Sequence, residues 1–339
     1  MSDALLSPAV GGTMWMATAG VAAYSARKVD RPGEVSRVPL MGVLGAFVFA
    51  AMMVNFSIPG TGSSGHLGGG LLLAILLGPY AAFIVMASVL TVQALFFADG
   101  GLLALGCNVF NLAFFTSFLV YPLVWKPLAG ARPSGARLFA ASLVGAVIGL
   151  QMGAFGVVLE TEASGISSLP FGTFALLMLP IHLAIGVVEG LVTASVVLIA
   201  WRARPELLTA EAQQRSLRPI LIGLGVTALV TGGVASWFAS THPDGLEWSV
   251  ARATGSELSL PADAVHAWLA RIQRTTAFLP DYDFKSSAEQ SRKGGVSSAW
   301  PAPSPGTSTS GVLGSLLVLG IAAAAGYGIR LARRRVARE

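Results

Sequence analysis

Uncharged apolar runs recur nine times along the chain, at residues 10–26, 39–58, 67–77, 79–97, 105–125, 138–159, 171–201, 219–239 and 312–329. A hydrocarbon core of roughly 30 Å needs about 20 apolar residues in a helix, and all but the third run approach or exceed that length. Gly78-Pro79 splits the third run from the fourth. Pro ends the helix before it and Gly supplies the turn, so a helix–turn–helix is predicted there. A short helix behind a Gly-rich loop reads as a partly re-entrant element covered by protein. The pattern predicts an all-α polytopic membrane protein. Seven spans form one bundle over residues 1–204, a polar linker covers 205–218, and a two-span module fills 219–339 around a large extracytoplasmic loop, 240–309. The last part of that loop, 286–310, is rich in Ser, Pro and Gly and is expected to be extended.

The polar positions orient the bundle. Asp3 precedes the first run and Arg27-Lys28 follow it, the reverse of a secretory leader, so this run is expected to stay in the membrane with the N-terminus outside. Sixteen of the 22 Lys and Arg then fall in inner segments, among them Lys126, Arg202 and the tail Arg333-Arg334-Arg335. The remaining six lie in the long 240–309 loop, and long segments translocate largely regardless of charge. The C-terminus is expected to be cytoplasmic, in a cytoplasmic membrane, with the basic tail beside anionic lipid.

With 54% apolar and 12% charged residues among 339, the chain is not a soluble enzyme. Its net charge of +5 divides into +11 on the inner side, −5 on the outer side and Glu189 within the membrane, which replaces a nucleic-acid reading by an acidic outer face that attracts cations. Cys107 is alone, so neither an internal disulfide nor a cysteine metal cage can form. The chain has no Gly-rich phosphate loop with Lys and is not expected to hydrolyse ATP itself.

Candidate chemistry gathers at few places. Residues 55–70, from Asn55 to Gly70, set His66 among small residues that permit close backbone approach. Imidazole suits Ni²⁺, Co²⁺, Cu²⁺ and Zn²⁺, but the loop has no second His, Cys or carboxylate, so a site must borrow ligands from elsewhere. His182 and Glu189 lie seven residues apart and share a helix face; an intramembrane acid is expected to be functional or partnered. Asn55, Asn108 and Asn111 read as supporting hydrogen-bond groups, and Asp99, before Gly100-Gly101, reads as a cap. Gly145, Gly149 and Gly153 are spaced for helix packing.

Together, Leu6-Ser7-Pro8, Arg37 to Val43, Asn55-Phe56, Gly65 to Gly69, Leu76 to Pro79, Gln93 to Gly101, Asn108 to Asn111 and Pro180-Ile181-His182 with Glu189 resemble the CbiM/NikM family. These are cobalt- and nickel-binding S components of energy-coupling factor (ECF) transporters. Pro243-Asp244-Gly245-Leu246-Glu247 resembles the PDGLE signature of their small NikN-like partner, so the chain looks like a fusion of the two. The resemblance implies a metal site of N-terminal amine, amide and imidazole of a His at position two, and the His of the Ser-Gly-His-Leu loop. That set maps onto Met1, Ser2 and His66, with Ser2 standing where the His is expected. Aligning Asp3-Ala4-Leu5-Leu6-Ser7-Pro8 with such relatives leads us to expect a Met-His pair immediately upstream of Met1.

The resemblance further implies ATP-driven uptake of Ni²⁺ or Co²⁺, the latter supporting cobalamin synthesis. The metal is the transported substrate, with no permanently bound cofactor, and the partners are a transmembrane coupling (T) subunit, ATP-binding subunits and membrane lipid, with no nucleic acid. Asp244, Glu247, His242 and His266 are possible transient ligands, otherwise a turn motif and surface groups. A remote alternative is an intramembrane hydrolase with Ser64 or Ser63 as nucleophile and His182 as base.

Overall fold

The structure is a computed structural model that describes residues 1–29, 38–204, 217–255, 259–284 and 300–336. Much of the predicted linker, the 285–299 part of the outer loop and the basic 30–37 segment lie outside the described residues. A short 3₁₀ turn, Asp3–Leu5, precedes α1 (Pro8–Lys28), whose cap Ser7 accepts the Val10 amide while Pro8 occupies the first turn. Proline is suited there because its missing N–H would have no partner in any case. Helix α2 (Val38–Met52) leads into the antiparallel pair β1 (Phe56–Ile58) and β2 (Ser63–Gly65), then α3 (Gly70–Leu77) and α4 (Pro79–Phe96).

Four helices follow: α5 (Leu105–Ala129), α6 (Gly135–Ser164), α7 (Phe171–Ala203) and α8 (Arg218–Gly233). Over the end of the bundle that carries the N-terminus lie α9 (Gly245–Thr254), α10 (Ala264–Thr276) and a turn at Pro280–Tyr282, before α11 (Pro305–Val336) closes the chain. Five helices are long and apolar enough to cross a membrane, namely α4, α5, α6, α7 and residues Pro305–Ala332 of α11, and the protein is a polytopic helical membrane protein.

Several boundaries differ from the expected runs. The 39–58 run stops being helical at Met52, because its last residues pair as β1 with the Ser- and Gly-containing β2. The 67–77 run becomes helical only at Gly70; its eight helical residues, about 12 Å long at the usual helical rise, cannot span a bilayer. Every residue of α3 is buried, as a covered re-entrant element requires. The 219–239 run leaves the α-helix at Gly233 and ends in a 3₁₀ turn, Ala235–Phe238. Residues 305–310, expected to be extended, instead open α11. Helix α5 is π-wound from Phe110 to Trp125 and contains Pro122, which lacks an amide hydrogen to donate.

Helix α2 packs against helices of both modules. It is buried over most of its length and packs against α4 on one side and against α8 and α11, the two long helices of the second module, on the other. A Cβ on Gly42 would lie 2.9 Å from the Leu319 carbonyl oxygen, so this α2–α11 crossing depends on glycine. Gly145, Gly149 and Gly153 meet Leu71, Thr116 and the Asn111 backbone, which makes them packing residues as expected.

Candidate metal site

A cavity of about 150 Å³ opens where the β2–α3 loop, the α4–α5 turn, α7 and α9 converge. Met1, His66, Asn108, Asn111, His182 and Asp244 all contribute to its wall. Residues separated by more than 240 positions in sequence are thus brought to one place.

The His66 side is fixed from within the membrane. Glu189 on α7 is 2% exposed, and its carboxylate accepts the Gly68 amide at 2.6 Å and the Gly69 amide at 3.1 Å. Gly69 adopts φ +74, a left-handed conformation that a side chain would oppose. At the next residue, a Cβ on Gly70 would come within 2.2 Å of the Leu112 carbonyl oxygen. These two glycines let the loop end and α3 press against α5, and Glu189 neutralises two backbone donors that the bend strands in the interior. The His66 Nδ1 lies 3.0 Å from the Leu67 carbonyl oxygen. A carbonyl only accepts, so Nδ1 carries the proton and the Nε2 lone pair remains available. His182 repeats this arrangement, with Nδ1 donating to the Met178 carbonyl at 2.8 Å. His182 and Glu189 share a face of α7 as the spacing predicts, but the carboxylate bonds the loop amides.

The N-terminal side is fixed at the α4–α5 turn. The Met1 amine donates to Asn108 Oδ1 at 2.8 Å, while Asn108 Nδ2 and the Gly101 amide donate to the Met1 carbonyl. Asp3 accepts the Ala104 amide at 2.8 Å, and the Ser2 hydroxyl accepts the Ala4 amide. The amine therefore reaches the cavity while Ser2 serves as the cap of the Asp3–Leu5 turn.

The remaining predicted residues divide. Asn111 lines the cavity and donates to Glu160, an acid that is 8% exposed within α6 and lies one residue beyond the predicted 138–159 span. Asn55 does not line the cavity, and its carbonyl takes the Ser240 amide. Asp99 lines the cavity but is not a backbone cap, for its carboxylate accepts the Tyr282 hydroxyl, whose pKa is raised well above its ordinary value by burial and by Asp99.

In the PDGLE segment, Asp244 caps α9 by accepting the Glu247 amide at 2.8 Å, and Gly245 and Leu246 complete the cavity wall. Pro243 accepts the Ser64 amide at 2.8 Å, so the segment runs beside β2. The Glu247 carboxyl is pushed up by crowding against the protein and by Asp244. The Ser64 hydroxyl donates to the His242 and Pro243 carbonyls, which leaves it without the His182 partner that a hydrolase reading needs. His266, expected at the surface, is 1% exposed. Among the described residues no three His, Cys, Asp or Glu side chains form a ready metal-ligand cluster.

Comparison with known proteins decides the family. The family described as "Cobalt uptake substrate-specific transmembrane region", CbiM, matches residues 1–207. The chain belongs to the CbiM family. A PDGLE domain matches residues 218–331, so this CbiM-family chain carries both parts in one polypeptide. The fused nickel transport protein NikMN of Rhodobacter capsulatus is 32% identical over 83% of this chain and 87% of its own length. The cobalt transport protein CbiM of Geobacter sulfurreducens is 32% identical over 61% of each chain. A crystal structure described as a transition metal transporter matches at a TM-score of 0.54 and 29% identity, over 64% of this chain and 99% of the other. The CbiM match spans the cavity wall from Met1 to His182, and the PDGLE match supplies Asp244, Gly245 and Leu246.

Proposed function

We propose that the chain is the substrate-binding membrane subunit of an ATP-driven ECF transporter that imports Ni²⁺, or Co²⁺, across the cytoplasmic membrane. The observation that carries this reading is the cavity shared by His66 and by Met1, whose amine bonds the cavity-lining Asn108. An amine that loses its proton and leaves Asn108 offers one nitrogen, and His66 Nε2 offers another. Backbone amides of the N-terminal segment and the second imidazole, His182, stand beside them as further nitrogen donors. Nitrogen ligands favour Ni²⁺ and Co²⁺ over Mg²⁺ or Ca²⁺, which prefer oxygen. Nickel is the preferred cargo because amine and amide donors joined in one chain favour a planar chelate.

In this reading the N-terminus and the cavity face outward, the Lys- and Arg-bearing helix ends face the cytoplasm, and residues 1–204 and 219–339 act as binding bundle and PDGLE module. Release inward follows when a separate transmembrane coupling subunit and ATP-binding subunits drive a conformational change. Asn108, Asn111, Asp99 and Glu189 shape the site around these donors.

Thermal unfolding of the purified chain with and without Ni²⁺ or Co²⁺ tests the site. The expected result is a metal-dependent upward shift that His66→Ala abolishes. Equal shifts in both proteins overturn the assignment of His66. A version with Met-His placed ahead of Met1 supplies an added imidazole and is expected to bind more tightly. Uptake in cells carrying the coupling and ATP-binding subunits, with the two metals in competition, reports the preferred cargo.

A further inference from the structure

The 3₁₀ turn that delivers Met1 to the cavity is gripped from below by a residue of the other module. His266 on α10 places Nε2 3.0 Å from the Asp3 carbonyl oxygen and 3.0 Å from the Leu6 carbonyl oxygen, the two ends of that turn. Both are acceptors only, so Nε2 donates to them. The other ring nitrogen faces the Asp263 carboxylate. Asp263 is itself fixed as the cap of α10, accepting the Val265 and His266 amides at 3.0 Å each. Those contacts, the His266 amide first, hold its carboxyl below the ordinary range, so the partner of the ring is an anion at neutral pH. The ring is buried at 1% exposure, and α10 is anchored in turn by Gln273, which donates to the Ala94 and Gly100 carbonyls.

We propose that His266 is a positioning residue for the N-terminal segment: through the Asp3 and Leu6 carbonyls it holds the Met1 amine in the cavity, so that the second module completes the site without contributing a ligand through this helix. The same module bonds the other half of the cavity, where Pro243 and His242 receive Ser64 two residues from His66. It thus splints the N-terminal segment to the His66 loop. Without His266, the first six residues retain, among the described residues, the Asn108, Gly101 and Ala104 hydrogen bonds to the α4–α5 region and the apolar burial of Leu5 and Leu6.

The consequence for metal rests on the proposed role of the amine, but the clamp is measurable without metal. The full chain is treated with a membrane-impermeant amine-acylating reagent, and modification of the N-terminal peptide is followed by mass spectrometry. His266→Ala is expected to raise the acylation rate about tenfold or more, as loss of the bonds to the Asp3 and Leu6 carbonyls releases a local segment. His266→Gln, which keeps a donor for the carbonyls, is expected to restore most of the protection, and global unfolding temperature reports whether either variant folds. Acylation of folded His266→Ala at the parent rate overturns the clamp. Raised acylation with unchanged Ni²⁺ affinity leaves the clamp standing and removes the amine from the metal site.

Discussion

The two sides of the cavity are held by opposite means. The His66 loop is built into the bundle: its amides end on a buried carboxylate of α7, and its glycines touch α5 and α2 backbone and side chains. The N-terminal segment is anchored by the buried side chains of Leu5 and Leu6, and ahead of that anchor its grip is a set of hydrogen bonds to the α4–α5 turn and to His266 of the second module. One side cannot move without exposing stranded amides to the interior. The other leaves Met1 held by hydrogen bonds to Asn108 and Gly101, ahead of the Leu5–Leu6 anchor.

Glu189→Ala is the sharpest way to break this comparison. It strands two buried amides at once, and each unsatisfied buried group costs on the order of 1–3 kcal/mol. Denaturant or thermal unfolding in detergent is expected to show a loss of about 2–4 kcal/mol together with loss of the metal-induced shift. Glu189→Gln retains one acceptor oxygen and is expected to fall between. An alanine variant as stable as the parent would mean that the loop is held by its glycine packing alone.

Asn108→Ala probes the other side and is expected to leave folding nearly intact. It removes the amine's acceptor and one donor to the Met1 carbonyl, bonds worth about 1 kcal/mol each in net terms. Stability is expected to change by less than about 1 kcal/mol, because the affected segment lies at the chain terminus. The readouts that move are N-terminal acylation, which rises, and Ni²⁺ affinity, which changes as the amine is freed both to ligate and to wander. If neither changes, the amine is not placed by Asn108, and the comparison loses its hydrogen-bonded half.

How far the sequence reaches follows from the range of each interaction. The positions of the helices could be read because burial in lipid or protein selects long uncharged runs, and Gly78-Pro79 marks its turn by local backbone rules. His66 and Met1 could be brought together only through family resemblance, since nothing in their spacing predicts a shared cavity. Glu160 escaped because it lies one residue beyond an apolar run, where a helix end and a buried acid look alike in sequence. His266 escaped for a different reason: its partners are backbone carbonyls of Asp3 and Leu6, and carbonyls have no side-chain signature. The equal spacing of His182 and Glu189 gave the right face of α7 but not the partner, because Gly68 and Gly69 reach Glu189 through their amides.

The smallest expected effect concerns the charge behind the clamp. Asp263 combines two functions, capping α10 with one oxygen and facing the His266 ring with the other. Asn at this position can still cap a helix, so Asp263→Asn subtracts the charge and keeps the geometry. The folded-state pKa of Asp263 lies below its unfolded value, which is about 3.9 for an ordinary Asp. Its contribution is therefore fully present above that value and is lost as pH falls through the depressed folded value. Solvent exposure keeps the contribution modest. Hydrogen exchange across α10, corrected for intrinsic rates, is expected to be slightly slower in the parent than in Asp263→Asn at pH 6, with the two converging as the carboxyl becomes protonated. A gap that persists unchanged at low pH, or no gap at pH 6, would assign the hold on the N-terminal turn to the Nε2–carbonyl bonds alone, and the hydrogen-bonded half of the site would then lack an acid-sensitive catch.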